Sequence, residues 1–258
     1  MVDSLGNRMK ENYENISKTR LTRRMPVIIR IDGKAFHTFC RGFEKPFDYI
    51  LMSTMKDVTF ELCKNIQNAK LGYCQSDEIS ILLCDYDNFD TSAWFDNEVQ
   101  KICSISASMT TFYFNKIFGY KVNDFSDSLA LAWNVSEREQ EYERALWRSV
   151  DKGAMFDSRC FNIPKEEVTN YFLWRQQDAT RNSIQMTGQY YFKHKELQKK
   201  SCNDIQNMLL VEKDVNWNDF STDKKRGTCC IKTEKGWIID NNIPIFKNEG
   251  RNYIEKLI

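Results

Sequence analysis

The residues best suited to chemistry are carboxylates at the ends of short predicted strands. The runs Leu71–Gln75 and Ile79–Cys84 are typical of strands, which makes Ser76-Asp77-Glu78 the connection of a β-hairpin. A further predicted strand, Pro26–Ile31, leads directly into Asp32-Gly33. Carboxylates facing each other from two strand ends can hold a hard divalent ion through oxygen ligands, as phosphate chemistry requires. Ordinary turn chemistry, in which short polar side chains bond their own backbone, is the alternative explanation.

A glycine and several cations follow the first of these carboxylates. Gly33 lets backbone amides approach a ligand closely, and successive loop amides can cradle a phosphate. Lys34, Arg41 and Lys45 would add cationic partners in the same loop. His37 stands beside two phenylalanines, which is consistent with a packed, hydrogen-bonded ring as well as with a catalytic one.

The composition indicates a globular protein with a sizeable core. Of the 258 residues, 41% are hydrophobic and 13% aromatic. No apolar run exceeds five residues and the first 24 residues are polar, so we expect neither a transmembrane helix nor a secretory signal. Nine cysteines without any C-x-x-C pair fit a reducing compartment better than a disulfide framework, so we expect a cytoplasmic protein.

The net charge of +1 conceals separate charged clusters. Lys193–Lys200 holds four lysines against one glutamate, and Lys224–Arg226 is wholly basic. By contrast, Asp85–Glu98 holds five acidic residues and no basic one. The basic clusters could form a surface for an RNA backbone, or they could simply be solvated faces.

The predicted elements follow the order strand, helix, strand, strand, helix, strand. This βαββαβ order predicts an α+β fold with a ferredoxin-like antiparallel sheet, the arrangement of polymerase palms. We expect a palm-like catalytic domain over residues 1–163 with an insertion at 121–150, then a mainly helical part with a β-hairpin over 164–258. Lys101, near the start of the second of these helices, could reach a triphosphate or stay solvated. The predicted helices are Ser4–Lys18, Asp48–Asn68, Asp96–Phe118, Glu137–Val150, Pro164–Met186 and Ser201–Val211, and the other predicted strands are Ala154–Asn162, Thr228–Thr233 and Trp237–Asp240.

Five blocks in the chain carry a more specific resemblance. They are Ile31–His37, Lys45-Pro46, Gln75–Glu78, Phe156–Arg159 and Trp174–Asp178. In this order the blocks resemble the signature motifs of the tRNA-histidine guanylyltransferase family, and the sequence is most similar to the bacterial and archaeal guanylyltransferase-like proteins. Those enzymes add nucleotides in the 3′ to 5′ direction. The resemblance spans about Leu5 to Lys232.

The resemblance implies a role for each block. Asp32 and Asp77 would bind two Mg²⁺ ions together with the backbone carbonyl of Gly33, and Glu78 would belong to the same catalytic set. The blocks associated with the nucleotide and its triphosphate comprise Gly33, Lys34, Ala35, Phe36, His37, Lys45, Ser76 and Lys101. Contacts with the RNA substrate would come from Asp157, Arg159 and Arg175 of these blocks. Arg181 and Asn182 lie on the polar face of the same predicted helix as Arg175, and that face could contact RNA or be an internally paired, solvated surface.

The resemblance also implies a reaction and its partners. ATP would activate the 5′ monophosphate of a tRNA. GTP or another nucleoside triphosphate would then be added to that 5′ end, at the acceptor stem. The enzyme would be a homotetramer. Ala179–Ser183 stands where strict tRNA-histidine enzymes carry His-Ile-Asn-Asn-Leu, which favours template-dependent repair of 5′-truncated tRNA. The alternatives are strict tRNA-histidine guanylylation, a nucleotidyl cyclase-like enzyme and a noncatalytic RNA-binding protein.

Overall fold

A single antiparallel sheet organises the chain. The computed structural model describes residues 4–258, and its six strands lie in the order β4-β1-β3-β2-β5-β6. The first four positions reproduce the order of a ferredoxin-like sheet, so the predicted βαββαβ unit is confirmed. The strands are β1 Val27–Gly33, β2 Ala69–Gln75, β3 Glu78–Leu83, β4 Phe156–Asn162, β5 Thr228–Thr233 and β6 Gly236–Asp240.

Helices cover both faces of this sheet. They are α1 Ser4–Met9, α2 Phe36–Phe39, α3 Tyr49–Asn65, α4 Val99–Ala130, α5 Glu137–Lys152, α6 Lys165–Tyr191, α7 His194–Leu197, α8 Cys202–Lys213, α9 Thr222–Arg226 and α10 Asn252–Glu255. Short turns of π- or 3₁₀-helix occupy Lys10–Glu14, Asn15–Ser17, Trp94–Asn97, Trp217–Asp219 and Asn248–Arg251. Within the described residues, no helix is both long and apolar enough to cross a bilayer.

Strand β1 is largely buried on both faces because its side chains alternate between two cores. Ile29 and Ile31 of β1 point into the larger core, which α3 and α4 cover. Ile28 of β1 points into the opposite core, beneath α6. This explains why the aliphatic run of β1 is continuous rather than alternating.

Residues 121–150, the predicted insertion, pack against the main core. The predicted helix Asp96–Phe118 continues as α4 to Ala130, because its apolar side chains still meet the core at Val122. Leu146 of α5 is fully buried in the same core. The segment therefore completes one side of the main core, while the division of the chain at residue 163 stays a prediction.

The C-terminal part shares the sheet with the rest of the chain. The hairpin β5–β6 forms at the predicted positions and pairs through β5 with β2. The last residues, for which the sequence offers no clear element, bury Ile243, Phe246 and Ile254 in the core beneath α6. The nine cysteines are all free, as expected for a chain without a disulfide framework.

The N-terminal segment is less regular than predicted. In place of one helix over Ser4–Lys18, α1 is followed by a π-turn and a 3₁₀ turn. The apolar side chains that suggested an amphipathic helix, among them Leu5 and Ile16, are exposed. Most helical stability in proteins comes from packing of the apolar face, which this segment leaves exposed in the described part of the chain.

Candidate active site

The register of the sheet brings three acidic residues to one end of it. Asp32, near the end of β1, pairs with Glu78 of β3 on one side and Asp157 of β4 on the other. Asp77 immediately precedes Glu78 in the β2–β3 turn, so Asp32 and Asp77 lie at the same end of the sheet. The charge of Asp32 is close enough to raise the pKa of Asp77. The expected convergence of carboxylates is therefore observed.

The hairpin turn is shorter than its sequence suggests. Gln75 pairs directly with Glu78, which leaves Ser76 and Asp77 as the two turn residues. Ser76 adopts a left-handed conformation with φ of 51°, and its hydroxyl donates to Asp77 Oδ1 at 3.0 Å. The prediction that Glu78 belongs to the turn is wrong, because strand pairing makes it the buried first residue of β3.

Both hairpin carboxylates lie in surroundings that disfavour a negative charge. Burial raises the pKa of Asp77, repulsion by Asp32 adds to the rise, and the hydrogen bond from Ser76 opposes it. Burial also raises the pKa of Glu78, against the lowering effect of Arg175 and Arg30. A cation placed near Asp77 would offset this cost, so the end of the sheet favours binding of positive charge.

The donors at this end of the sheet fit magnesium better than a softer metal. No group of three or more His, Cys, Asp or Glu side chains close enough to hold a metal occurs within residues 4–258. Mg²⁺ is usually held by one or two carboxylates, with substrate phosphates and water completing its shell. Asp32, Asp77 and the carbonyl of Gly33 are oxygen donors of this kind.

The loop after β1 is anchored by an aromatic cluster. The Phe36 ring packs against Phe39, Phe114 and Phe156, with ring centroids 5.0 to 5.5 Å apart. Its predicted contact with a nucleotide is therefore restricted to the backbone. Ala35, just before α2, is left-handed with φ of 53° and exposed, so the chain turns sharply here.

The other predicted nucleotide-binding side chains face solvent. Lys34, His37, Lys45 and Ser76 are exposed, so the interpretation of His37 as a packed ring is wrong. Lys101 is also exposed, and its nearest acidic partner is Glu98, 3.8 Å away. Lysines in such surroundings are free to move towards an anionic ligand.

Two arginines surround the buried Glu78. Arg30 Nη2 lies 2.5 Å and Arg175 Nη1 lies 3.2 Å from the same oxygen, Glu78 Oε2. Arg175 is only 2% exposed, so it does not fit the predicted contact with RNA. Arg30 is not among the predicted site residues, although an arginine inside a buried apolar strand requires an ionic partner and is itself a signal.

Three of the four remaining predicted RNA residues are exposed. Asp157 and Arg159 lie on β4, the edge strand, where Arg159 Nη2 is 2.7 Å from Asp157 Oδ1. Arg181 projects from α6 and bonds Asp178. Asn182, beside it, is partly buried. The structure thus brings together the carboxylate end of the sheet and one exposed face of α6, with Arg175 between them.

Comparison with known proteins identifies a family. The family model of tRNAHis guanylyltransferase (Thg1) matches residues 6–164, which is more than half of the chain. A probable tRNA(His) guanylyltransferase of Dictyostelium discoideum is 26% identical over 219 residues, covering 80% of this chain and 75% of the relative. An uncharacterised protein of Acanthamoeba polyphaga mimivirus is also 26% identical, covering 95% of this chain and 84% of the relative.

Solved structures agree over nearly the whole length. A bacterial tRNA(His) guanylyltransferase-like protein in complex with ATP is 43% identical with a TM-score of 0.85, and each chain is covered to 99%. A structure of such a protein in complex with GTP is 39% identical with a TM-score of 0.77 and the same coverage. With its ferredoxin-like sheet and paired carboxylates, the chain therefore belongs to the tRNAHis guanylyltransferase family of nucleotidyltransferases.

Proposed function

We propose that this protein is a Mg²⁺-dependent nucleotidyltransferase that adds nucleotides to tRNA 5′ ends in the 3′ to 5′ direction. The observation that carries the proposal is the meeting of Asp32 and Asp77 at one end of the sheet. The ATP and GTP complexes of similar bacterial proteins support both nucleotides as substrates of this chain.

The residues at this end of the sheet have complementary tasks. Asp32, Asp77 and the carbonyl of Gly33 would hold two Mg²⁺ ions. Bound Mg²⁺ would activate the attacking oxygen and stabilise the leaving group of each transfer. Around this centre, the backbone of Ala35 and Phe36 and the exposed side chains would bind the nucleotide and its triphosphate. These side chains are Lys34, His37, Lys45, Ser76 and Lys101.

The reaction consists of two nucleotidyl transfers. The 5′ monophosphate of the RNA attacks the α-phosphorus of ATP, which releases pyrophosphate and leaves an adenylylated 5′ end. The 3′-hydroxyl of the incoming nucleoside triphosphate then attacks that 5′ phosphate and releases AMP. An RNA that already carries a 5′ triphosphate needs no activation and releases pyrophosphate in the second step. One metal centre can serve both transfers because each replaces a leaving group at phosphorus.

The tRNA would lie across exposed polar surfaces next to the carboxylates. Arg181 and Asn182 on α6, together with Asp157 and Arg159 on β4, would contact the 5′ end and acceptor stem. The lysines within 193–200 are exposed, and Tyr190 near them is 45% exposed. The lysines would attract RNA phosphates and the exposed ring would stack with a base, as in other RNA-binding surfaces.

The sequence of residues 179–183, which lacks the histidine of strict tRNA-histidine enzymes, favours repair over strict recognition of tRNA-histidine. Ala179 and Ser183 point inwards from α6, and the Ser183 hydroxyl accepts a hydrogen bond from Trp217 Nε1 at 3.0 Å. Much of this segment is thus used to pack α6 against the C-terminal part. We infer that nucleotide choice comes from pairing with the opposite strand of the acceptor stem.

The decisive assay uses a tRNA that lacks its first nucleotide. The protein, ATP, Mg²⁺ and all four nucleoside triphosphates should yield RNA extended at its 5′ end, and chelation of Mg²⁺ should stop the reaction. Asp32→Asn and Asp77→Asn should each lower the transfer rate more than about 100-fold, because even the partners of metal ligands contribute about 10- to 100-fold. Asp90→Asn, in an exposed loop, is the matched control. Normal turnover by either site variant would contradict the proposal.

Sequencing the product tests template dependence. Changing the base opposite the missing nucleotide should change the added base to its complement. Addition of G regardless of the opposite base, and only to tRNA-histidine, would instead indicate strict guanylylation. The homotetramer that the family resemblance implies and the cytoplasmic location that the cysteine content favours stay predictions.

A further inference from the structure

Glu78 is held by two cations although it is the residue paired with Asp32. Arg30 and Arg175 both contact Glu78 Oε2, at 2.5 and 3.2 Å. Arg30 Nη2 also lies 3.9 Å from Asp32 Oδ2, which is beyond hydrogen-bonding distance. Asp32 therefore remains available to a ligand, whereas Glu78 is engaged.

The arginine from α6 is fixed from the other side. Arg175 Nη2 lies 2.5 Å from Asp178 Oδ2, and the ring of Trp174 covers the guanidinium at 3.9 Å. Asp178 also bonds the exposed Arg181 through its other oxygen. A buried, stacked guanidinium that contacts two carboxylates through different nitrogens is held in one position, so its contact with Glu78 is part of the fold.

Without these cations Glu78 would be a ready ligand for a metal at Asp32 and Asp77. It is the strand partner of Asp32 and the chain neighbour of Asp77. Its second oxygen, Oε1, is buried and has no hydrogen-bond partner in the described part of the chain. A third carboxylate would tighten metal binding, but it would occupy a position that phosphate oxygens and water need during transfer.

We propose that Arg30 and Arg175 are positioning residues that hold Glu78 away from the metal ions, so that only Asp32 and Asp77 supply carboxylate ligands. This inference rests on the proposed magnesium-dependent function. It replaces the expectation that Glu78 is itself a catalytic residue.

The first test measures metal binding without turnover. Mg²⁺ is titrated by calorimetry into the protein in the presence of a nonhydrolysable GTP analogue. Arg175→Met should tighten Mg²⁺ binding by about fivefold or more, as for other energetic couplings between groups. The same variant should lower the transfer rate about 10- to 100-fold, the usual loss when a partner of a metal site is removed. Arg30→Met should change both quantities in the same direction.

A double-mutant cycle shows whether the effect acts through Glu78. Adding Glu78→Gln to Arg175→Met should return Mg²⁺ affinity to within about twofold of the Glu78→Gln single variant, because the released carboxylate is then absent. Arg175→Lys keeps the charge but cannot contact both Glu78 and Asp178, so its Mg²⁺ affinity should lie between those of Arg175→Met and the unchanged protein. Thermal unfolding of each variant verifies that it is folded. Arg138→Met, at an exposed position of α5, is the control.

Two results would overturn the inference. One is unchanged or weaker Mg²⁺ binding in folded Arg175→Met and Arg30→Met. The other is a loss of Mg²⁺ affinity in Glu78→Gln as large as in Asp32→Asn, which would make Glu78 a ligand. Failure of the proposed function has a different signature, because Asp32→Asn would then leave Mg²⁺ binding unchanged.

Discussion

Gly33 shows how one residue connects the carboxylates with the nucleotide loop. A Cβ atom at this position would lie 2.1 Å from Phe36 Cδ2 and 2.4 Å from Cε2. The Phe36 ring cannot yield easily, since it is enclosed by Phe39, Phe114 and Phe156. Because Gly33 has no side chain, the loop that follows Asp32 can pass this close to the Phe36 ring.

Gly33→Ala should impair nucleotide binding and stability together. Displacing the ring should cost about 1–3 kcal/mol of the free energy of unfolding, the usual effect of overpacking a core. The shifted loop should raise KM for the nucleoside triphosphate. Chemical denaturation and steady-state kinetics measure the two effects, and Gly33→Ala/Phe36→Leu should recover part of both.

Gly119→Ala is the matched control for this substitution. Nothing lies within 4 Å of its added Cβ, and alanine is favoured over glycine within a helix by about 1 kcal/mol. We expect this variant to be slightly stabilised and fully active. If Gly33→Ala were equally stable and active, the close contact with Phe36 would affect neither stability nor nucleotide binding.

The site residues differ in how far the sequence could predict them. Asp32 and Asp77 could be predicted because strand ends and turns leave a local pattern in the sequence. The position of Glu78 was not, because it depends on Gln75 and Glu78 pairing across the hairpin. The burial of Arg175 depends on how α6 lies over the sheet, which helical spacing alone does not encode.

One ion pair attaches a basic cluster to helix α3. Lys56 Nζ of α3 lies 2.6 Å from Asp223 Oδ2 of α9, the short helix that carries Lys224–Arg226. Burial alone would raise the pKa of Asp223. Hydrogen bonds from Lys56 and Ser221, together with the positive charge of Lys56, instead lower this pKa below its usual 3.8. The charged form of Asp223 therefore stabilises the folded protein.

The contribution of Asp223 to stability should depend on pH with a definite sign. Because folding lowers its pKa, the stabilisation is complete above the pKa of the unfolded chain and disappears as pH falls through the lower folded value. At pH 7, Asp223→Asn should reduce the free energy of unfolding by about 1.5 kcal/mol, the lower end for hydrogen bonds to charged groups. The deficit should shrink as the pH falls below 3.8.

Urea denaturation at a series of pH values measures this deficit. Asp87→Asn removes an exposed ion pair with Lys70 and should cost less than about 1 kcal/mol at pH 7. A deficit of Asp223→Asn that did not change between pH 7 and the acid range would show that the charge of Asp223 is not its source.

Element order was more predictable than element length. The hairpin β5–β6 lies where glycine and alternating side chains predict it, because such signals are local. By contrast, α4 runs beyond its predicted end at Phe118 because tertiary packing at Val122 continues the helix. The N-terminal segment has apolar residues at helical spacing but no partner surface among the described residues. The spacing therefore predicts a more regular helix than the one observed.

The molecule as a whole depends on its C-terminal residues to hold α6 on the sheet. Gln176 Nε2 donates to the Pro244 carbonyl at 2.9 Å, and the Phe246 amide donates to Gln176 Oε1 at 3.0 Å. Phe246 is fully buried and contacts Tyr73 of β2 and Tyr253. This long-range contact leaves no local pattern, and for that reason the sequence offered little for residues 241–258.

Phe246→Ala should therefore weaken the whole fold and disturb the site beneath α6. Removing a fully buried phenylalanine typically costs about 3–5 kcal/mol, a large part of the stability of about 5–15 kcal/mol that native proteins have. Arg175 lies one residue before Gln176, so loosening α6 should also weaken its contact with Glu78. Denaturation midpoints and transfer rates should fall together, whereas Ile245→Ala, at a 53% exposed neighbour, should stay within about 0.5 kcal/mol of the unchanged protein. Equal stability of the two variants would mean that the C-terminal residues cover α6 without holding it in place.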